Sequence, residues 1–117
     1  MKMEVYYWKN IDWLTKSSYV GEVTGCRYPT KTEFKKDYKK IPITFPFNDK
    51  LGDEVNFGRV YSRLNQGNNP LATLEMQRWI RSNLNPHPHT SMSIGDVIKV
   101  GDKYWITINI GWDKLNW

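Results

Sequence analysis

Cysteine is nearly absent. Cys26 is the single thiol of the 117-residue chain, so no internal disulfide can form. Small exported domains that depend on several bridges are thereby excluded as a class. No apolar run reaches the roughly 18 residues that a membrane span needs. The first ten residues, Met-Lys-Met-Glu-Val-Tyr-Tyr-Trp-Lys-Asn, carry charge where a signal peptide requires an apolar stretch. The expectation is a protein of a reducing, cytoplasmic compartment without membrane contact. Histidine is scarce too, with two residues, His87 and His89. No glycine-rich phosphate loop follows a strand, and no strained nucleophile elbow surrounds a serine. Repeats and low-complexity tracts are missing, which excludes solenoids and tail-like chains.

What is present is charge of one sign and aromatic area. The formal net charge is +5 with a pI near 9.3, a bias towards acidic partners such as nucleic acid or nucleotides. Six Trp, seven Tyr and four Phe exceed what a small core absorbs, so some rings are expected at a contact surface. The length fits one domain spanning 1–117, since single cores commonly take about 100–150 residues.

The periodicities give an α+β fold. Met3, Val5 and Tyr7 alternate within 3–8 and mark a first strand; 18–25 is a second strand candidate after a loop or short turn from Asn10. Phe57, Val60, Tyr61 and Leu64 recur at helical spacing within a helix of about 53–65, with Gly67 suited to a left-handed cap. Asn69-Pro70, with Thr73 as a later cap, opens a second helix of about 70–84 whose stripe is Met76, Trp79, Ile80 and Leu84. Pro86-His-Pro-His ends it in an extended path. Gly101-Asp102 then turns a tight hairpin over 96–110. The result is a small antiparallel sheet, N-terminal strands plus this hairpin, packed on two helices.

A two-residue loop sets Val100 against Lys103, Lys99 against Tyr104, Ile98 against Trp105 and Val97 against Ile106. Alternation then places Val97, Tyr104, Ile106, Ile108 and Ile110 on one face, read as the core. The other face, with Asp96, Ile98, Lys103, Trp105, Thr107 and Asn109, is read as a contact platform. Between strand and helix, 31–47 reads as a polar, lysine-bearing loop anchored by Phe34, Ile41, Ile43 and Phe45, because Pro42 and Pro46 exclude a central strand.

Three constellations could carry function. Lys31, Lys35, Lys36, Lys39 and Lys40 interleave with Phe34 and Tyr38, the combination that neutralises phosphates and stacks on bases. His87-Pro-His89 places two imidazoles two apart in an extended segment, which throws the rings apart and leaves a metal site without companions. His89-Thr-Ser matches half of a two-histidine phosphoesterase arrangement, and a second copy is lacking. Catalytic residues, metal and cofactor are therefore expected to be none, and the candidate contact residues are Lys31, Lys35, Lys36, Tyr38, Lys39, Lys40, His89, Ser91, Ile98 and Trp105.

Asn69-Pro-Leu, Met76-Gln-x-Trp-Ile80 and His89-Thr-Ser-Met-Ser-Ile-Gly-Asp-Val-Ile98 together resemble small proteins of phages and mobile elements, and are similar to YodL-like domains. The likeness covers about 69–111. It implies an accessory protein acting in the bacterial host cytoplasm, a non-enzymatic binder of a host-defence protein or of nucleic acid or nucleotide. The alternatives are a small phosphoesterase or metal-assisted hydrolase using His87 and His89, and a structural or assembly protein.

Overall fold

The computed structural model describes residues 1–10 and 28–117, and the strand candidate at 18–25 lies outside them. Five antiparallel strands form one sheet: β1 (Lys2–Trp8), β2 (Tyr38–Pro46), β3 (Val97–Val100), β4 (Lys103–Ile108) and β5 (Gly111–Leu115), in the order β2-β1-β3-β4-β5. Among the described residues three α-helices accompany it: α1 (Lys31–Asp37), α2 (Asp53–Arg63) and α3 (Leu74–Asn83). The described residues are thus α+β, with one helix, α1, and two strands, β2 and β5, that the periodicities do not announce.

β1 is central because its alternate residues serve two cores. Met3, Val5 and Tyr7 are buried on one side, against Phe57 and Val60 of α2, its C-cap residue Leu64 and Ile80 of α3. Tyr6 and Trp8 on the other side join Phe34 of α1, Tyr38, Val97, Ile106 and Leu115. The expected split between a core face and a contact face therefore fails. Ile98 is completely buried in the α2–α3 core, and Trp105 packs beside Phe57 with ring centroids 5.1 Å apart. Two helices need an apolar face, and the larger core forms on the side assigned to contact.

The hairpin pairs as the sequence dictates, with Val97 opposite Ile106, Ile98 opposite Trp105, Lys99 opposite Tyr104 and Val100 opposite Lys103. Gly101 takes φ +63 at the first loop position, which an L side chain resists. Ile110 is not core. It sits 84 % exposed in a second turn that reverses β4 into β5, where Gly111 is left-handed at φ +95.

The 31–47 segment is no loop. Thr30 and Glu33 form a reciprocal capping box, Glu33 N–H donating to Thr30 Oγ1 at 3.2 Å and Thr30 N–H to Glu33 Oε1 at 2.9 Å. Helix α1 then leads directly into β2. Pro42 and Pro46 are tolerated because β2 is an edge strand, and Ile41, Pro42 and Ile43 together stand opposite the single Val5 in a bulge that needs no proline N–H. The helix expected at 70–84 is split: Asn69 caps a 3-10 turn at Pro70–Ala72, and Thr73 caps α3 through Met76 N–H. Gly67 takes no left-handed conformation, and α2 ends at Leu64 instead.

Candidate functional site

The 89–96 turn is built around one buried carboxylate. Asp96 is fully buried and accepts from Trp8 N–H at 3.1 Å, Ser93 N–H at 2.8 Å and Ser93 Oγ at 3.3 Å. His89 Nε2 stands 3.1 Å from both of its oxygens, and His89 Nδ1 stands 3.1 Å from the His87 carbonyl. Both ring nitrogens thus face acceptors, an arrangement that a doubly protonated imidazolium satisfies. The ring is sandwiched between Tyr7 at 4.6 Å and Trp8 at 4.4 Å. Tyr7 donates to the Thr90 carbonyl at 2.8 Å, and Tyr38 to the Gly95 carbonyl at 2.6 Å.

Burial alone would lower the pKa of His89, but the hydrogen bond and charge of Asp96 outweigh it and hold His89 above its ordinary value. Burial raises Asp96, and its donors offset that only in part. A histidine with both nitrogens committed offers no lone pair to a metal or a reacting proton. In this geometry His89 fastens the turn. His87 is exposed, and its backbone N–H donates to the Lys9 carbonyl at 3.3 Å.

The remaining candidates separate sharply. Tyr38 and Ile98 are core residues, 4 % and 0 % exposed, and cannot serve as contacts. Trp105 is half-buried against α2 and Ser91 is exposed in the turn. Lys31, Lys35, Lys36, Lys39 and Lys40 are all exposed, the first three on α1 and the others on β2. Lys40 is engaged: its Nζ bonds Glu4 at 3.0 Å, while Lys99 reaches Glu4 at 3.7 Å from the opposite strand. The Lys40 hydrogen bond holds the Glu4 carboxyl below its ordinary pKa.

Lysines and rings do converge, at a different place from the 31–40 run alone. A cleft of about 420 Å³ is bordered by Lys31 of α1, Lys103 of β4 and Lys114 of β5, with Asp102 the one acid. Its aromatic walls are Tyr104 and Trp117, ring centroids 5.1 Å apart. Trp117 also packs on Phe34 at 4.9 Å and donates from Nε1 to the Pro29 carbonyl at 3.2 Å, so α1 and the C-terminal residues fix it. Lys99 Nζ lies 5.5 Å from the centre of the Tyr104 ring. Lys103 is expected only as part of the hairpin's contact face, and Tyr104, Lys114 and Trp117 are not among the expected contacts. Gly111-Trp-Asp-Lys-Leu shows no period-two alternation, so the strand beside the hairpin has only Gly111 as a turn signal.

No family model matches the chain. No solved structure matches it either. The chain is similar to the Uncharacterized protein R785 of Acanthamoeba polyphaga mimivirus, 37% identical over 57 residues, which are 49% of this chain and 50% of that protein. The chain spans about half the length of the curated relative it matches. A viral relative accords with the phage-type resemblance at its coarsest level. Among the described residues, no helix is long and apolar enough to cross a membrane.

Proposed function

We propose that the protein is a non-enzymatic accessory protein of viral type that binds single-stranded nucleic acid on the α1 side of its sheet. The cleft of Lys31, Lys103 and Lys114 around Tyr104 and Trp117 carries this reading. Lysines from three elements supply phosphate contacts, and partly exposed rings between them supply stacking faces that accept any base. Lys35 and Lys36, exposed on the same helix, extend the positive surface, and the viral likeness favours an accessory role.

The test is fluorescence anisotropy with short labelled DNA and RNA strands at about 50 and 200 mM salt. The expected result is binding that weakens steeply with salt and drops when Lys103 and Lys114 are both changed to Glu. Absence of binding at the lower salt, or binding indifferent to the double change, overturns the proposal.

A further inference from the structure

A second cleft, of about 460 Å³, opens at the opposite end of the β4–β5 hairpin, between Tyr61 of α2, Ile94 of the 89–96 turn and the strand residues Thr107, Ile108 and Trp112. Its size falls in the usual range of small-ligand sites, about 300–1,000 Å³. Charge is missing from its described lining.

Two polar atoms on this lining set it apart. Thr107 Oγ1 and Trp112 Nε1 are buried without a hydrogen-bond partner among the described residues. Elsewhere among the described residues buried polar side chains are provided for: Asn56 makes four bonds with Asn48, Leu51 and Gly52, Asn69 bonds Leu64 and Leu71, and Asp96 is enclosed by donors. The two exceptions are cross-strand neighbours, since Thr107 pairs with Trp112 in the β4–β5 ladder. A desolvated, unpaired donor destabilises a fold, so such a group is met by an ordered water or by a ligand that displaces it.

The chemistry of that partner follows from the groups. An indole N–H only donates, so the ligand must bring an acceptor; a hydroxyl donates or accepts. The Tyr61 ring stands edge-on to the Trp112 indole, 80° from parallel at 6.2 Å, and Ile94 and Ile108 complete an apolar surround. A flat, uncharged ring suits such walls, whereas a phosphate or an ammonium would lose its hydration with no counter-charge. Tyr61, 41 % exposed, is the outermost aromatic wall of the cleft.

We infer that this cleft binds a neutral, planar heteroaromatic group bearing hydrogen-bond acceptors, of the nucleobase class, with Trp112 Nε1 and Thr107 Oγ1 as its polar contacts. The site is separate from the lysine cleft. Nucleosides carry no phosphate, so failure of one proposal leaves the other standing.

The experiment titrates the full chain with adenosine, guanosine, cytidine and uridine while the Trp112 indole cross-peak, assigned through Trp112→Phe, is followed by ¹H–¹⁵N NMR. The expected result is a downfield shift of that cross-peak with at least one nucleoside. Thr107→Val should weaken the binding about tenfold, one hydrogen bond's worth, and raise the melting temperature of the free protein by removing an unpaired hydroxyl. Thr107→Ser should retain the binding. An unmoved cross-peak at the solubility limit of all four, an equal response to toluene, or undiminished binding by Thr107→Val overturns the inference.

Discussion

His89 Nε2 lies 3.1 Å from each carboxylate oxygen of Asp96, with Asp96 fully buried and the imidazole stacked on Tyr7. This contact makes stability depend on pH in a direction that can be worked out. His89 is held above its ordinary value, so the folded state binds its proton more tightly than the unfolded chain does. The contribution is complete below about pH 6.5, the ordinary histidine value, and disappears as pH rises through the elevated one. Asp96 is itself raised by burial and acts in the same sense, favouring the fold at lower pH. The melting temperature should therefore be higher at pH 5.5 than at pH 8.5, and His89→Asn should flatten that difference. Removing Asp96 leaves its donors unsatisfied in the interior, and Asp96→Ala should cost about 3–5 kcal/mol in denaturant unfolding.

The same pair marks how far the sequence could be read. Asp96 and Ser93 are legible as turn-fastening residues because short polar side chains bond local backbone, and Gly101 is legible as a hairpin residue. That His89 closes on Asp96, and that Trp8 reaches both, depends on β1 inserting next to β3, a pairing across more than 80 residues that no local pattern encodes. Lys31 to Asp37 was misread because one apolar residue, Phe34, faces inward, too little for helical periodicity; the Thr30-x-x-Glu33 box was the surviving signal. The faces of the hairpin were misjudged because both are covered, so alternation fixes which residues share a side but not which side is deeper. Of the candidate contact residues, the exposed lysines were recognisable from composition, whereas the Tyr104–Trp117 wall required the position of β5.

Gly95 is predicted to resist substitution for two independent reasons. Its φ of +95 is a conformation L residues avoid, and an added Cβ would meet Trp8 Cδ1 at 3.2 Å and Nε1 at 3.3 Å. Trp8 cannot give way freely, because its Nε1 donates to the Ile94 carbonyl at 3.0 Å and its ring covers His89. Gly95→Ala should lose at least the roughly 1–2 kcal/mol of a left-handed alanine, visible as a lower denaturation midpoint. Gly67→Ala, at a position with open space around it and an ordinary φ, is the control and should change stability little.

Glu4 should restrain the basic face more than it stabilises the fold. It draws Lys40 and Lys99 together from the two strands flanking β1, and Lys99 otherwise lies over Tyr104. These are exposed or partly exposed ion pairs that water screens, so they add little to the stability of the fold. Glu4→Gln should leave the melting temperature nearly unchanged while tightening binding to a labelled single strand at low salt, since two cations are released. An unchanged affinity would place these lysines outside the contact surface.

Trp117 and Lys103 border one cleft and should fail in different ways when removed. Trp117 presents a ring 39 % exposed beside Tyr104, whereas Lys103 presents a charge. Stacking of a base on an aromatic is worth about 1–3 kcal/mol and depends weakly on salt. A phosphate contact releases a counterion, and each one lost flattens the salt dependence by about 0.7 in log–log slope for a single strand. Trp117→Ala should thus weaken binding at every salt concentration with the slope retained. Lys103→Gln should weaken it most at low salt with the slope reduced. Circular dichroism of both variants separates this from unfolding, because Trp117 also packs on Phe34 and its loss should soften α1 without dissolving the α2–α3 core. Identical slopes for the two variants would contradict a cleft in which lysines hold phosphate and rings hold bases.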